Sequence, residues 1–312
     1  MLEREAPTAV VGTELLAWRR RLLAGGGGAA ELDWLLDLAG GLPWVALQRL
    51  WLEPKREVTL VRSLQELEAI WHRHCQSATP LQYLVGICPW RDLELQVAPG
   101  VLIPRQETEL LVDLALGRLP ALSPGPVCWA DLGTGSGALA VALAAALPQG
   151  SQGYAVDCSP EALAQAGTNL ERAGVASSVA LRLGSWWEPL KPLSGQLDLV
   201  VSNPPYIPTA LLAQLEPVVR EHEPHLALDG GADGLESLRT VVAGAAQALA
   251  PGGWLLLEHH HDQGPAVADL LVVAGLEEAS TELDLEGHGR FSCARRPAPG
   301  GPTPGGSSWV VP

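Results

Sequence analysis

One stretch constrains this chain more than any other: "PVCWADLGTGSGALAVALAAAL", residues 126–147, an apolar strand pattern that runs through spaced glycines into an alanine-rich helix. Gly133, Gly135 and Gly137 permit a tight backbone turn and close approach of a ligand. The helix that follows aims its free N–H groups and the positive end of its dipole at that ligand. About 25 residues on, "GYAVDCSPEALAQAGTNLERAGV" repeats strand then helix, with Asp157 at the strand end, Ser159 as N-cap and Pro160 in the first helical turn. Residues 106–297 go on alternating strand-like apolar runs with helical periods, which predicts a doubly wound α/β domain. A carboxylate at the tip of the second strand suits the two hydroxyls of a ribose, so the expected ligand is an adenosine derivative. Which one stays open here, because Gly133, Gly135 and Ala138 also satisfy the relaxed dinucleotide pattern. A Walker phosphate loop is excluded, since no Gly-Lys-Ser/Thr follows the glycines.

A second signal sits in "LDLVVSNPPYIP", residues 197–208. The run Leu197 to Ser202 reads as a strand in the middle of a parallel sheet. Pro204 and Pro205 then remove two backbone donors and restrict two φ angles, so the chain leaves the sheet at Asn203 as a rigid turn. That turn offers acceptors of one kind, the Asn203 side-chain carbonyl and the Pro204 backbone carbonyl. Two fixed acceptors match a ligand that carries an NH2 group.

The flanking segments are different in kind. Residues 1–75 show apolar residues at three- and four-residue spacing between Gly and Pro breaks and read as a small helical bundle, with Arg19 to Arg21 as a solvated helix face. Residues 76–105, rich in Pro and β-formers, read as a β-hairpin linker, and residues 298–312 as a disordered tail. No apolar stretch approaches the roughly 18 residues of a membrane span, and "MLEREAPTAVVG" lacks the basic and apolar regions of a secretory signal. Together with five widely spaced cysteines and no C-x-x-C pair, this points to a reduced, cytoplasmic protein without structural zinc. Of the net charge of −15, residues 1–75 carry only −1, with nine Lys or Arg against ten Asp or Glu. Such acidity disfavours direct capture of a nucleic-acid backbone. His259, His260, His261 and Asp262, or His222 with His225, invite a metal reading, but adjacent residues of one strand point to opposite faces and no metal is expected.

In order along the chain, "PLQYLVG", "VLIPRQETELLVDLAL", "DLGTGSGALAVALA", "SNPPYIP", "EPHLALDGGADGLESLR", "LAPGGWLLLEH" and "DLEGHGRFSCARR" resemble the release factor glutamine methyltransferases, over about residues 79–296. The resemblance implies a class I S-adenosylmethionine-dependent methyltransferase, a Rossmann-like, doubly wound seven-stranded sheet behind a small N-terminal helical-bundle domain (1–75) and a hairpin linker (76–105). The implied reaction transfers methyl to the N5 amide nitrogen of the glutamine in the Gly-Gly-Gln motif of peptide chain release factors, leaving S-adenosylhomocysteine. A monomer is expected, and hydropathy and charge predict no membrane and no direct nucleic-acid partner. Its site maps cofactor binding to Gly133, Thr134, Gly135, Ser136, Gly137, Asp157, Trp186 and Asn203, substrate binding to Asn203, Pro204, Pro205 and Tyr206, and catalysis to Asn203, Pro204 and Tyr206. Trp186 would lie by the adenine, Tyr206 would pack on the flat substrate amide, and Arg105, Glu107 and Glu109 would help hold the incoming loop. Gln106, Ser185 and His260 depart from the pattern, where Pro, Asp and Gly are usual. Rival acceptors for the same tetrapeptide are a ribosomal protein glutamine or an exocyclic amine of a nucleic-acid base.

Overall fold

A computed structural model describes residues 7–119 and 125–298, so from residue 299 onward the tail expected to be disordered lies outside the described residues. By its internal packing the chain forms two units. Of the described residues, the first comprises those up to Cys88 with Gln96–Pro99 and Leu215–Glu223, and the second comprises Pro89–Leu95, those between Gly100 and Gln214 and those from Pro224 on.

In the first unit the expected helical periods become α1 (Gly12–Ala24), α2 (Ala29–Leu38), α3 (Trp44–Leu52), α4 (Leu64–Ser77) and the short α5 (Leu81–Val85). Their apolar stripes meet in one core around Leu15, Trp18, Leu32, Leu35, Leu50, Leu67 and Trp71. A capping box starts α4: Ser63 Oγ accepts from Glu66 N at 3.3 Å, and Glu66 Oε2 accepts from Ser63 N at 2.8 Å. The unit also holds a two-stranded antiparallel ribbon, β1 (Thr8–Val11) with β2 (Glu57–Leu60), in which Val10 faces Val58. Two of the three consecutive arginines are internally paired, Arg19 with Asp33 at 2.6 and 2.9 Å and Arg21 with Glu68 at 2.8 and 2.7 Å. The helical turn α9 (Pro217–Arg220) belongs to this unit as well.

The hairpin of β3 (Ile87–Trp90) and β4 (Leu93–Gln96) follows α5, so the stretch read as a linker begins with a helical turn. Helix α6 (Glu109–Gly117) leads into the α/β alternation of β5 (Cys128–Leu132), α7 (Ala138–Ala146), β6 (Gln152–Asp157), α8 (Pro160–Arg172), β7 (Val179–Leu183) and β8 (Leu197–Ser202). It continues through α10 (Glu236–Ala248), β9 (Leu249–Glu258), α11 (Gly264–Val273), β10 (Glu277–Leu283) and β11 (Gly289–Arg295). These strands form one seven-stranded sheet in the order β10-β11-β9-β8-β5-β6-β7, parallel except for β11, which runs antiparallel to both neighbours. Strand alternation serves two cores. Trp129, Leu199, Val201 and Leu256 face one with Leu139 and Leu143, while Ala130, Leu132, Val200 and Leu255 face the other with Leu238, Val241 and Leu271. As expected, Ser159 caps α8, its Oγ accepting from Ala162 N at 3.1 Å, with Pro160 in the first turn.

Strand order reverses between β5 and β8, and parallel register levels their ends. Leu132 pairs with Val156 on one side and Ser202 on the other, and Ser202 in turn with Leu257. The next residues, Gly133, Asp157, Asn203 and Glu258, therefore emerge along one carboxyl edge, where a doubly wound sheet opens its ligand crevice.

Candidate active site

A cavity of about 630 Å³ opens at that edge, within the size range of small-molecule sites. Its walls include Gly133, Gly135, Asp157, Trp186, Asn203 and Pro205, and it is closed on one side by the segment from Pro224 to Gly231 and the start of α10.

The glycine turn is held by backbone bonds. Gly133 N and Thr134 N both donate to Val156 O at 2.9 Å, and Gly137 N donates to Thr134 O at 2.8 Å. Gly133, Gly135 and Gly137 have φ of +73°, +54° and +82°, which side chains other than glycine's rarely adopt. Gly133 and Gly135 line the cavity. Thr134, Ser136 and Gly137, also assigned to the cofactor, are not among the lining residues: Thr134 and Ser136 are buried, and the Thr134 hydroxyl donates to Asp131 Oδ2 at 2.6 Å. Burial pushes the fully enclosed Asp131 carboxyl up to about 7. Asp157 accepts from Gly135 N and Ser159 N, each at 2.9 Å and each on a different oxygen. Every carboxylate oxygen keeps a second lone pair, so both remain able to accept a ribose hydroxyl. The Trp186 ring lies against Gly133, 3.4 Å from where a β-carbon on that glycine would stand, and Trp186 holds a left-handed φ of +47°. Strain of that kind in a bulky residue marks a position the surroundings impose.

The Asn-Pro-Pro-Tyr turn is wired into the sheet. Ser202 Oγ donates to Leu132 O at 2.7 Å, tying the end of β8 to β5. Asn203 Nδ2 donates to Thr108 Oγ1 at 2.9 Å, which leaves Oδ1 available as an acceptor on a residue that lines the cavity. Thr108 Oγ1 donates to Glu258 Oε2 at 2.6 Å, and the Tyr206 hydroxyl donates to Glu258 Oε1 at 3.2 Å. Glu258 is 1% exposed, and burial raises its carboxyl to about 7 against the lowering effect of these two hydroxyls. Burial, then the Glu258 charge, pushes the Tyr206 phenol well above its ordinary value. Pro204 is buried, and neither Pro204 nor Tyr206 is among the cavity-lining residues. Behind the turn, Gln263 Nε2 bridges Tyr206 O at 3.0 Å and Gly234 O at 3.2 Å. A β-carbon on Gly230 would stand 2.8 Å from Tyr206 Cα, and one on Gly234 would overlap the Tyr206 carbonyl. Glycine at both positions lets the "DGGADG" loop close on the tetrapeptide.

Sequence reasoning assigned no role to Thr108, Glu258, Gln263, Gly230 or Gly234, although each but Gln263 lies inside a stretch that carried the family resemblance. Of the residues expected to help hold the incoming loop, Glu109 accepts through Oε1 from Arg91 N at 2.8 Å, and the backbone carbonyl of Arg105 accepts from Trp90 Nε1 at 2.7 Å. Gln106 accepts through its carbonyl from Glu109 N at 3.0 Å, so the turn forms without the usual proline. Ser185 lines the cavity. The adjacent histidines diverge: His259 is buried with Nε2 2.8 Å from Ser292 Oγ, while His260 Nδ1 meets Asp262 Oδ1 at 2.6 Å. Among the described residues no group of three or more His, Cys, Asp or Glu is placed to hold a metal ion, and no helix is long and apolar enough to cross a membrane. None of the five cysteines is joined in a disulfide.

The strand order, the glycine turn after the first parallel strand, the carboxylate after the second and Asn-Pro-Pro-Tyr after the fourth together define a class I methyltransferase. The Methyltransferase small domain family matches residues 114–271. Among solved structures the hMettl16 catalytic domain, in complex with MAT2A 3'UTR hairpin 6, shares the fold at 13% identity, with a TM-score of 0.51 over 74% of this chain and 80% of that one. Three curated relatives, all named release factor glutamine methyltransferase, are similar nearly end to end. That of Prochlorococcus marinus is 54% identical over 91% of this chain and 97% of its own length. Those of Synechocystis and Geobacter sulfurreducens are 42% and 40% identical, over 92% and 91% of this chain and 97% and 96% of theirs. The chain belongs to the release factor glutamine methyltransferase family.

Proposed function

We propose that this chain transfers a methyl group from S-adenosylmethionine to the N5 amide nitrogen of the glutamine in the Gly-Gly-Gln motif of peptide chain release factors. The observation that carries this is Asn203, which lines the cavity with its amide nitrogen engaged by Thr108 and its oxygen left available as an acceptor.

The residues present fit the cofactor. Gly133 and Gly135 leave room for the methionine part beside backbone of fixed shape, both Asp157 oxygens keep capacity for the ribose hydroxyls, and Trp186 offers a ring face for the adenine. When bound, S-adenosylmethionine supplies an electrophilic sulfonium methyl and departs as S-adenosylhomocysteine with the electron pair of the broken S–C bond.

A glutamine amide is a poor nucleophile because its nitrogen lone pair is delocalised into the carbonyl. Neither candidate base near the turn reaches it: the Tyr206 phenol stays protonated, and Glu258 lies outside the cavity lining behind Thr108 and Tyr206. Positioning is the available lever. Asn203 Oδ1 accepts one amide N–H, and the backbone carbonyl of Pro204, whose side chain is buried but whose neighbours Asn203 and Pro205 both line the cavity, accepts the other; together they aim the nitrogen at the methyl carbon and bind the positive charge that grows on nitrogen more strongly than the neutral ground state. Orientation of this kind contributes on the order of 7–11 kcal/mol. The nitrogen forms the new N–C bond and gives up one proton to solvent. In this reading the helical domain (1–75) and the linker (76–105) take the release factor's body, the enzyme works as a monomer in the cytoplasm, where its five thiols stay reduced, and the net charge of −15 disfavours a nucleic-acid acceptor.

The test is intact-mass and peptide analysis of unmethylated release factor incubated with the enzyme and S-adenosylmethionine, beside Asn203→Ala. One methyl on the Gly-Gly-Gln glutamine, absent with the variant, is expected. No transfer by an enzyme that binds cofactor would overturn the assignment in favour of a ribosomal protein or nucleic-acid amine.

A further inference from the structure

An amide has two ends of similar shape and opposite polarity, and only one of them can hold a substrate NH2. Nothing inside the tetrapeptide decides which end of Asn203 faces the cavity. The decision lies in a chain of three side chains from three separate elements: Asn203 after β8, Thr108 before α6 and Glu258 at the end of β9. Asn203 Nδ2 stands 2.9 Å from Thr108 Oγ1, which stands 2.6 Å from Glu258 Oε2. A hydroxyl has one proton to give, and an ionised carboxylate has none. With Glu258 ionised, the Thr108 proton must go to Glu258, so Thr108 can only accept from Asn203. The Asn203 NH2 is then drawn inward and Oδ1 faces out. With a proton on Glu258 Oε2 the chain reverses: Glu258 donates to Thr108, Thr108 donates to Asn203, and an amide turned over to accept that proton presents NH2 to an incoming NH2.

We propose that Glu258, acting through Thr108, is the positioning residue that sets the polarity of the Asn203 amide, and that protonation of Glu258 turns the amide to a form that cannot hold the substrate nitrogen. This rests on Asn203 being the acceptor for the glutamine amide. Glu258 is ringed by few charges. The Tyr206 phenol donates to its other oxygen, Glu107 ahead of α6 disfavours its ionised form, and Arg290 of β11 favours it. The neighbouring His259 ring is turned away to Ser292. Burial outweighs these and brings the carboxyl to about 7, so the two polarities exchange near neutral pH. Methyl transfer is low below that point and rises through it.

Two measurements test this, one independent of turnover. In ¹⁵N-labelled protein the Asn203 side-chain amide signals, assigned by their loss in Asn203→Asp, are expected to titrate with a midpoint near the Glu258 value. That midpoint is expected to vanish in Thr108→Val and in Glu258→Gln, both checked for native folding by thermal melts. In single-turnover transfer to a release factor, Thr108→Val is expected to slow the rate about 10- to 100-fold while cofactor affinity changes by no more than about twofold. Thr108→Ser, which keeps the hydroxyl, recovers most of the rate. Glu258→Gln, whose Oε1 still accepts from Thr108, flattens the pH profile. A titration of Asn203 that survives in Thr108→Val, or a Thr108→Val enzyme as fast as wild type, overturns the proposal. If wild type transfers no methyl to the release factor, the substrate assignment fails, and the amide titration still decides the role of Glu258.

Discussion

Replacing Gly135 or Gly137 by alanine separates the two reasons a turn can require glycine. Both residues have positive φ, +54° and +82°, so each replacement carries the backbone cost of a left-handed alanine, about 1 kcal/mol. A β-carbon on Gly135 has nothing within 4 Å, because it points into the open cavity. One on Gly137 would stand 3.0 Å from both Cα and Cβ of Ala166, and α7 and α8 would have to part, adding roughly 1–3 kcal/mol of overpacking. Gly135→Ala should therefore lower the melting temperature by only about 2–4 °C, and Gly137→Ala by about two to four times as much. Cofactor binding should show the opposite order, since the new methyl at 135 occupies cofactor space. Wild type melted in S-adenosylmethionine at about 100 times its dissociation constant should gain about 2.7 kcal/mol. A tenfold weaker Gly135→Ala should gain about half of that at the same concentration, and Gly137→Ala should keep most of it once its own baseline is subtracted. A Gly135→Ala protein that binds S-adenosylmethionine as tightly as wild type would refute the placement of the cofactor on this turn.

Trp186→Ala should weaken S-adenosylmethionine by the roughly 1–3 kcal/mol of a base–aromatic stack, with Trp186→Phe intermediate; equal affinity of all three in titration calorimetry would remove the ring from the adenine site. Glu258 sits at about 7 when folded and near its ordinary 4.5 when unfolded, so between those values the folded state holds a proton that the unfolded state has released. Its contribution is present below about 4.5 and lost as pH rises through about 7, a fall of up to about 3 kcal/mol. Glu258→Gln should flatten that part of the decline in urea midpoints from pH 5 to 8, leaving the like-signed slope of buried Asp131; an unchanged slope would contradict the shift. Gly153→Ala places a methyl inside the envelope of the buried Trp129 ring and should destabilise by about 1–3 kcal/mol or more, relieved by adding Trp129→Leu; a melt at the wild-type temperature would count against that packing.

The sheet and much of the crevice were legible from sequence because their signals are local. Apolar runs bounded by glycine or proline mark β5, β6 and β8 whatever lies elsewhere, and parallel register then levels Gly133, Asp157 and Asn203 with no further information. The ribbon of β1 and β2 was hidden because two four-residue strands 45 residues apart leave no period among helices. Arg19 read as solvated because its partner Asp33 lies on another helix. Thr134 and Ser136 were assigned to the cofactor and Tyr206 to the substrate amide by motif, and a motif says where a residue sits and not what its hydroxyl bonds. Burial of a hydroxyl demands a partner, and Asp131 and Glu258 supplied two of them.

The sequence alone determined the α/β alternation around β5, β6 and β8, the rigid turn at Asn203 and the glycine bend, since φ preferences and spacing are properties of neighbouring residues. Only the tertiary structure decided the polarity of the Asn203 amide. Thr108 and Glu258 stand 150 residues apart and meet because β9 pairs with β8 in a register that brings Leu257 level with Ser202. A hydrogen-bond chain is settled by counting protons over all its members, and no local pattern contains that count.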